Sequence, residues 1–163
     1  MTRALIVHAS KYGSTAEVAG VVGEVLADRG FACDVVPVSG VSDLLGYDLV
    51  VLGGGLYMGH LHKDAQRFLK RYEKDLARVQ FAVFAMGPLS ADQAELDKVR
   101  PQLEHALDNV PELHPIGTAI FGGVIVPERL HFPFNRMPAG DHRDWDEIRR
   151  FAESLVAAVP VPA

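Results

Sequence analysis

The chain has 163 residues, of which 48% are hydrophobic and 23% charged, so it suits one domain with an ordinary core and is not a disordered chain. Lys and Arg total 16 against 21 for Asp and Glu, and this net charge of −5 excludes a broadly basic nucleic-acid-binding protein. The single cysteine, Cys33, excludes an internal disulfide and cysteine-based metal sites. The apolar runs are too short for a membrane span or a secretory signal, so we expect a cytoplasmic protein.

Short apolar runs alternate with amphipathic stretches along the whole chain. The apolar runs predict strands at residues 4–7, 32–38, 49–52, 80–86 and 117–121. The first helix follows the first strand and ends before Gly30. Because strict alternation of strand and helix builds a parallel sheet covered on both faces, we predict one α/β domain over residues 1–159 and a frayed tail at 160–163.

The later elements carry clearer boundary signals. A charged helix is predicted over 63–76, and Ser90 with Gln93 forms a capping box for the next helix, which Pro101 should kink or divide. The segment 124–142 contains three prolines and no periodicity, so it predicts an irregular loop. Asp144 should cap a last helix that ends at Pro160.

Ligands of open parallel sheets bind beyond the carboxyl ends of the strands. Three of the four relevant loops are rich in glycine: Gly53–Gly55, Gly87–Pro88 and Gly122–Gly123. The remaining loop, Ser10–Thr15, is rich in hydroxyl groups and leads into the first helix. The glycine loops therefore predict close approach of the backbone to a flat ligand.

The turn Ser10–Thr15 has the chemistry of a phosphate site. A helix N-terminus offers unpaired N–H groups and a favourable dipole to an anion, and Ser10, Ser14 and Thr15 add hydroxyl donors. A phosphate monoester such as that of FMN fits such a turn without lysine or arginine. The alternative is that Ser14 or Thr15 only caps the helix.

Other nucleotide-binding motifs do not fit the residues. A Walker A sequence is absent. A dinucleotide fingerprint would need a third glycine where Met58 stands after Gly53 and Gly55. A phospho-accepting receiver domain would need aspartate at the end of the third strand, where this chain has Gly53.

The motifs together resemble a known family. Residues 10–15 resemble the flavodoxin phosphate loop, and residues 54–62 are similar to the flavin loop of bacterial menaquinone-dependent protoporphyrinogen oxidases. Gly122–Gly123 with the terminal helix resembles the end of the same family, so the resemblance covers nearly the whole chain. It implies a flavodoxin-like three-layer sandwich with a five-stranded parallel sheet and one noncovalent FMN.

The turn, the glycine loops and the resemblance together imply a set of cofactor-binding residues. They are Ser10, Lys11, Tyr12, Gly13, Ser14, Thr15, Gly54, Gly55, Leu56, Tyr57, Met58, Gly59, Gly87, Pro88, Leu89, Gly122 and Gly123. No catalytic residue is assigned, although His60 is a candidate proton donor beside the flavin. His60 and His62 alternate without a third ligand, so no metal site is predicted.

The resemblance implies an oxidoreductase that passes electrons from a donor to a quinone or small organic acceptor. The most specific activity that it implies is protoporphyrinogen oxidation. Two departures bear on this reading. The segment 124–142 is shorter than the insertion of those oxidases, which disfavours membrane docking, and Leu89 stands where carrier flavodoxins usually stack a tyrosine. A non-enzymatic flavodoxin electron carrier and a flavin-free binding module remain the alternatives.

Overall fold

The computed structural model describes residues 2–10, 13–57, 59–87, 93–125 and 140–159. The strands are β1 (Arg3–Ala9), β2 (Ala32–Pro37), β3 (Leu49–Tyr57), β4 (His60–Leu61), β5 (Gln80–Gly87), β6 (Gly117–Gly122), β7 (Val124–Ile125) and β8 (Gly140–Asp141). The helices are α1 (Ser14–Asp28), α2 (Lys63–Arg71), α3 (Glu73–Leu76), α4 (Gln93–Asp108) and α5 (Trp145–Ala158), with a 3-10 turn at Val38–Gly40.

Five parallel strands form the central sheet in the order β2-β1-β3-β5-β6. This arrangement confirms the predicted five-stranded parallel sheet. The short strand β4 adds an antiparallel partner to the end of β3 and makes the sheet six-stranded. The strand order changes direction between β1 and β3. The crevice between the carboxyl ends of these two strands is therefore the topological switch point, where ligands of such sheets bind.

Two hydrophobic layers cover the sheet, one on each face. Alternate residues of β1 show the division: Ile6 packs in the layer of α1 and α5, whereas Leu5 and Val7 pack in the layer of α2, α3 and α4. The strand residues Ala4–Val7 and Leu49–Leu56 are buried on both sides, which explains their continuous apolar sequences. The predicted three-layer sandwich is therefore confirmed.

Two predicted helix boundaries are confirmed in detail. Helix α1 ends at Asp28, and Gly30 lies just beyond it with φ of +92°. The N–H of Gly30 donates to Ala27 O at 3.1 Å. At the start of α5, Asp144 Oδ1 accepts from the N–H groups of Asp146 at 3.1 Å and Glu147 at 3.2 Å.

Other boundaries were wrong. The third strand does not end at Leu52: it continues through the three glycines to Tyr57, because β5 still pairs with it as far as Gly55. The helix predicted over 63–76 is two helices that meet at Tyr72.

Pro101 does not divide its helix, since α4 runs through it from Gln93 to Asp108. Pro101 is exposed, so water can satisfy the carbonyl that loses its N–H partner. The segment 124–142 is not irregular at its two ends, which pair as β7 and β8. The predictions for Ser90, for residues 126–139 and for the tail 160–163 lie outside the described residues.

Candidate functional site

The structure brings most of the predicted site to one edge of the sheet. Ala9 at the end of β1 is in register with Gly54 on β3, and Gly87 at the end of β5 is in register with Gly122. The predicted residues Ser10, Gly55 and Gly123 adjoin these positions along the chain. Of the predicted site residues, Lys11, Tyr12, Met58, Pro88 and Leu89 lie outside the described residues.

The described residues of the hydroxyl-rich turn Ser10–Thr15 show how it leads into α1. Ser10 Oγ accepts a hydrogen bond of 3.1 Å from the N–H of Gly13. Gly13 has φ of +87°, a conformation that side-chain-bearing residues rarely adopt, and α1 begins at the next residue, Ser14. The first turn of α1 therefore faces the carboxyl edge of the sheet with its unpaired N–H groups.

Thr15 is the most informative residue of this turn. Its side chain is fully buried in the otherwise apolar interior of the domain. Its Oγ1 finds no hydrogen-bond partner among the described residues. A buried unpaired hydroxyl is costly, so a group other than the described residues is expected to accept its proton.

The glycines of β3 let neighbouring groups approach closely. A Cβ on Gly54 would lie 2.9 Å from Leu61 Cδ1 and 3.1 Å from Ala65 Cβ. A Cβ on Gly53 would lie 2.1 Å from Phe84 Cζ. Close packing on the two faces of the sheet therefore requires glycine at positions 53 and 54, whether or not a ligand also approaches them.

A tight hairpin joins β3 to β4 and shapes the border of the site. Gly59 has φ of +85° in its turn, Leu56 pairs with Leu61, and Tyr57 pairs with His60. The Tyr57 ring meets that of His62 edge-on, with centroids 5.7 Å apart.

The two histidines of the hairpin have different surroundings. His62 Nδ1 accepts from the N–H of Asp64 at 3.0 Å and so caps α2. His60 is exposed, which leaves its candidate role as proton donor a proposal. The described residues contain no group of three or more side chains able to hold a metal ion.

Sequence reasoning missed a titratable residue near this edge. His8 is the penultimate residue of β1, in register with Pro37 and Gly53. Its side chain is half-buried, and burial lowers its pKa from the usual value of 6.5. A histidine inside an otherwise apolar strand was the available signal.

Sequence reasoning also missed an ion-pair cluster centred on Arg143. Its Nη2 donates to Asp141 Oδ2 at 2.6 Å and its Nη1 donates to Glu17 Oε2 at 3.0 Å. The hydrogen bonds from Arg143 hold the pKa of the Asp141 carboxyl below its usual range. Only the alternation of Asp141 and Arg143 was visible in the sequence, because Glu17 is far away along the chain.

The residues present fit the phosphate end of a flavin mononucleotide. The fit rests on the unpaired Thr15 hydroxyl, the left-handed Gly13 and the open first turn of α1. These groups lie at the start of α1, which follows β1, and the glycines of β3, β5 and β6 lie at the carboxyl ends of the neighbouring strands. The helices formed by described residues include none that is both long and apolar enough to cross a membrane.

Comparison with known proteins agrees with this geometry. A family model described as a flavodoxin domain matches residues 5–137. A search of curated proteins finds no significant match.

Solved structures give the same fold. The chain is similar to flavodoxin 2 from Bacillus cereus, with 25% identity and a TM-score of 0.64 over 96% of this chain and 99% of that chain. It is similar to the flavodoxin of Streptococcus pneumoniae, with 21% identity and a TM-score of 0.59 over 97% and 100% of the two chains. A short-chain flavodoxin associated with a bacterial microcompartment matches at 18% identity and a TM-score of 0.63, over 98% and 100%.

The matches below 25% identity bear on the fold alone. Together with the family model they support the flavodoxin part of the resemblance found in the sequence. They give no support to the narrower resemblance to protoporphyrinogen oxidases.

Proposed function

The chain belongs to the flavodoxin domain family, and from that premise we propose that it binds FMN noncovalently and passes electrons from a donor to a quinone or small organic acceptor. The single observation that carries the cofactor assignment is the fully buried Thr15 hydroxyl, which has no partner among the described residues. FMN has a terminal phosphate that accepts such a hydrogen bond, and riboflavin does not.

The chain's own residues divide the work of binding. Ser10, Ser14 and Thr15, with the first-turn N–H groups of α1, would hold the phosphate. The backbone of Gly54–Tyr57 and the glycines that end β5 and β6 would border the flavin ring. When bound, FMN supplies the electron-transfer chemistry, and the protein supplies position and electrostatics.

The first experiment titrates apoprotein with FMN and with riboflavin and follows the quenching of flavin fluorescence. We expect FMN to bind at least tenfold more tightly, because a lost charge-assisted hydrogen bond costs about 1.5–3 kcal/mol. Equal affinity for the two flavins would refute the phosphate assignment. Failure to bind either flavin would favour a flavin-free binding module.

The acceptor assignment has its own support and its own test. Tyr57 is half-buried and His60 is exposed, so the β3–β4 hairpin leaves this border of the site open to a small molecule. Stopped-flow mixing of photoreduced holoprotein with a water-soluble menaquinone analogue should give reoxidation much faster than that of free reduced FMN. A parallel assay with protoporphyrinogen tests the narrowest form of the activity.

A non-enzymatic electron carrier is the second candidate. The observation that favours it is the match over nearly the whole of both chains to flavodoxin 2 from Bacillus cereus. A carrier would react with the quinone analogue no faster than free FMN and would instead exchange electrons with a redox protein. Fast reoxidation of the reduced holoprotein by the quinone analogue, together with steady-state turnover between an electron donor and the quinone, would exclude the non-enzymatic carrier.

A further inference from the structure

A buried guanidinium lies beside the phosphate turn. The Arg143 side chain is 8% exposed, and its Nε and Nη2 donate to the two oxygens of Asp141 at 2.9 and 2.6 Å. Its Nη1 reaches Glu17 at 3.0 Å, and its Cζ lies 4.7 Å from the ring centre of Trp145. Each of the three guanidinium nitrogens therefore donates to a carboxylate, and the group also lies against an aromatic ring.

The partners of Arg143 adjoin two parts of the predicted site. Asp141 is paired with Val124 in the β7–β8 ladder, and the N–H of His142 donates to Gly123 O at 2.9 Å. These contacts attach Arg143 to the backbone just beyond β6. Glu17, in contrast, lies in the first turn of α1.

The position of Glu17 creates an electrostatic conflict. Its N–H donates to Gly13 O at 3.3 Å, so it belongs to the same turn as the unpaired Thr15 hydroxyl. A carboxylate there is attracted to the helix N-terminus, as a phosphate dianion would be, and the two anions would repel each other. Arg143 is the cation that the structure places on Glu17.

We infer that Arg143 is a positioning residue for cofactor binding: it shares its charge between Asp141 and Glu17, partly offsets the charge of Glu17 and holds that carboxylate away from the phosphate site. This inference rests on the proposed binding of FMN. Arg143 acts through Glu17 and does not itself contact the phosphate. Loss of Arg143 should therefore weaken FMN specifically, because riboflavin carries no charge for a released Glu17 to repel.

The test measures the dissociation constants of FMN and riboflavin for the wild type, Arg143→Met, Glu17→Gln and the double variant, at low and high salt. For Arg143→Met we expect about a tenfold weaker FMN complex at low salt, because the Glu17 carboxylate on the first turn of α1 would then repel the phosphate. Riboflavin affinity should change less than about threefold. The added Glu17→Gln substitution should restore most of the lost FMN affinity.

The matched control is Arg150→Met on the same helix as Trp145. It removes the exposed pair between Arg150 and Glu147, 2.7 Å apart, which involves neither Glu17 nor Asp141. We expect this variant to keep the wild-type preference for FMN. The fluorescence of Trp145, the only tryptophan, reports whether each variant keeps the local structure around position 143.

Glu17→Gln alone keeps the inference testable even if Arg143→Met does not fold. Glu17 is 66% exposed at its side chain, so the substitution is structurally mild. We expect FMN affinity equal to or higher than that of the wild type. If the ion pair only braced the turn mechanically, Glu17→Gln would weaken FMN and overturn the inference.

The outcomes separate this inference from the proposed function. A wild-type protein that binds neither flavin, or both equally, refutes the FMN proposal itself. A wild type that prefers FMN, with an unchanged preference in Arg143→Met, refutes only the role of Arg143. A loss of FMN affinity that Glu17→Gln does not restore also contradicts charge neutralisation.

Discussion

The ring of Tyr57 lies against the backbone of Gly55, two residues before it on the same strand. A Cβ added to Gly55 would lie 2.7 Å from Tyr57 Cε2 and 2.9 Å from its Oη. Gly55→Ala must therefore displace the Tyr57 ring. Because that ring is half-buried and belongs to a flexible side chain, we expect the fold to survive with a loss of stability below about 1 kcal/mol.

The same variant should change the flavin site. If Tyr57 borders the flavin ring, its displacement should shift the visible absorption of the bound cofactor and weaken FMN and riboflavin alike. Gly20→Ala is the matched control, because a Cβ there meets nothing within 4 Å and Gly20 lies inside α1. We expect it to leave the spectrum unchanged and to stabilise the protein by about 0.5–1 kcal/mol, as measured by urea denaturation.

Thr15→Val should have opposite effects on the apoprotein and on the complex. Without FMN the buried Oγ1 has no described partner, so replacing it with a methyl group should raise the free energy of unfolding or leave it unchanged. With FMN the lost hydrogen bond should cost about 1–3 kcal/mol of affinity. Thr118→Val, at an exposed threonine on β6, is the control. An apoprotein of Thr15→Val that is less stable than the wild type would contradict this prediction.

His8 should make the protein less stable in mild acid. Burial lowers its pKa in the folded state below 6.5, so the unfolded chain takes up a proton at a higher pH than the folded one. The free energy of unfolding should then fall as the pH drops below 6.5 and through the lowered pKa. Urea denaturation at several pH values measures this, and His8→Gln should flatten the dependence.

Cys33 should be nearly inert toward alkylation at neutral pH. Burial, and then the neighbouring Asp34 carboxylate, raise the pKa of its thiol from 9.0 to about 11. At pH 8 the folded protein should react with iodoacetamide about 100-fold more slowly than the urea-unfolded chain, in line with its smaller thiolate fraction. The unfolded thiol ionises first, so this group should also reduce stability between pH 9 and 11. Equal alkylation rates in the two states would contradict the shifted pKa.

The five parallel strands and both layers could be predicted because local composition and periodicity indicate them. The continuation of β3 through Gly53–Gly55 could not, since glycine disfavours strands locally. Here the backbone is paired on both sides, to Ala9 and to Met86 among others, and the absent side chains make room for Phe84. Tertiary pairing thus overrides the local preference.

The turn before α1 could be located from the sequence because its hydroxyl groups, glycine and helix start are adjacent, and its phosphate role stays a prediction. The contact between Glu17 and Arg143 could not be predicted, because the two residues lie 126 positions apart and meet only when the β7–β8 ladder is placed against α1. The predicted division of α4 at Pro101 was wrong for another reason. Pro101 lies on the exposed side of α4, where water can replace the missing hydrogen bond and the helix continues.

The division of the core into two hydrophobic layers has a consequence for engineering. The turn Ser10–Thr15 leads into α1, which packs in the layer of α1 and α5, whereas Leu56 and Leu61 of the hairpin belong to the layer on the opposite face. In the proposed FMN complex, cofactor retention and access to the ring border would thus depend on separate sets of side chains. A library that repacks the layer beneath the hairpin should therefore change the preference for electron acceptors and leave the binding of the FMN phosphate unchanged. Acceptor preference and cofactor affinity can then be selected one after the other.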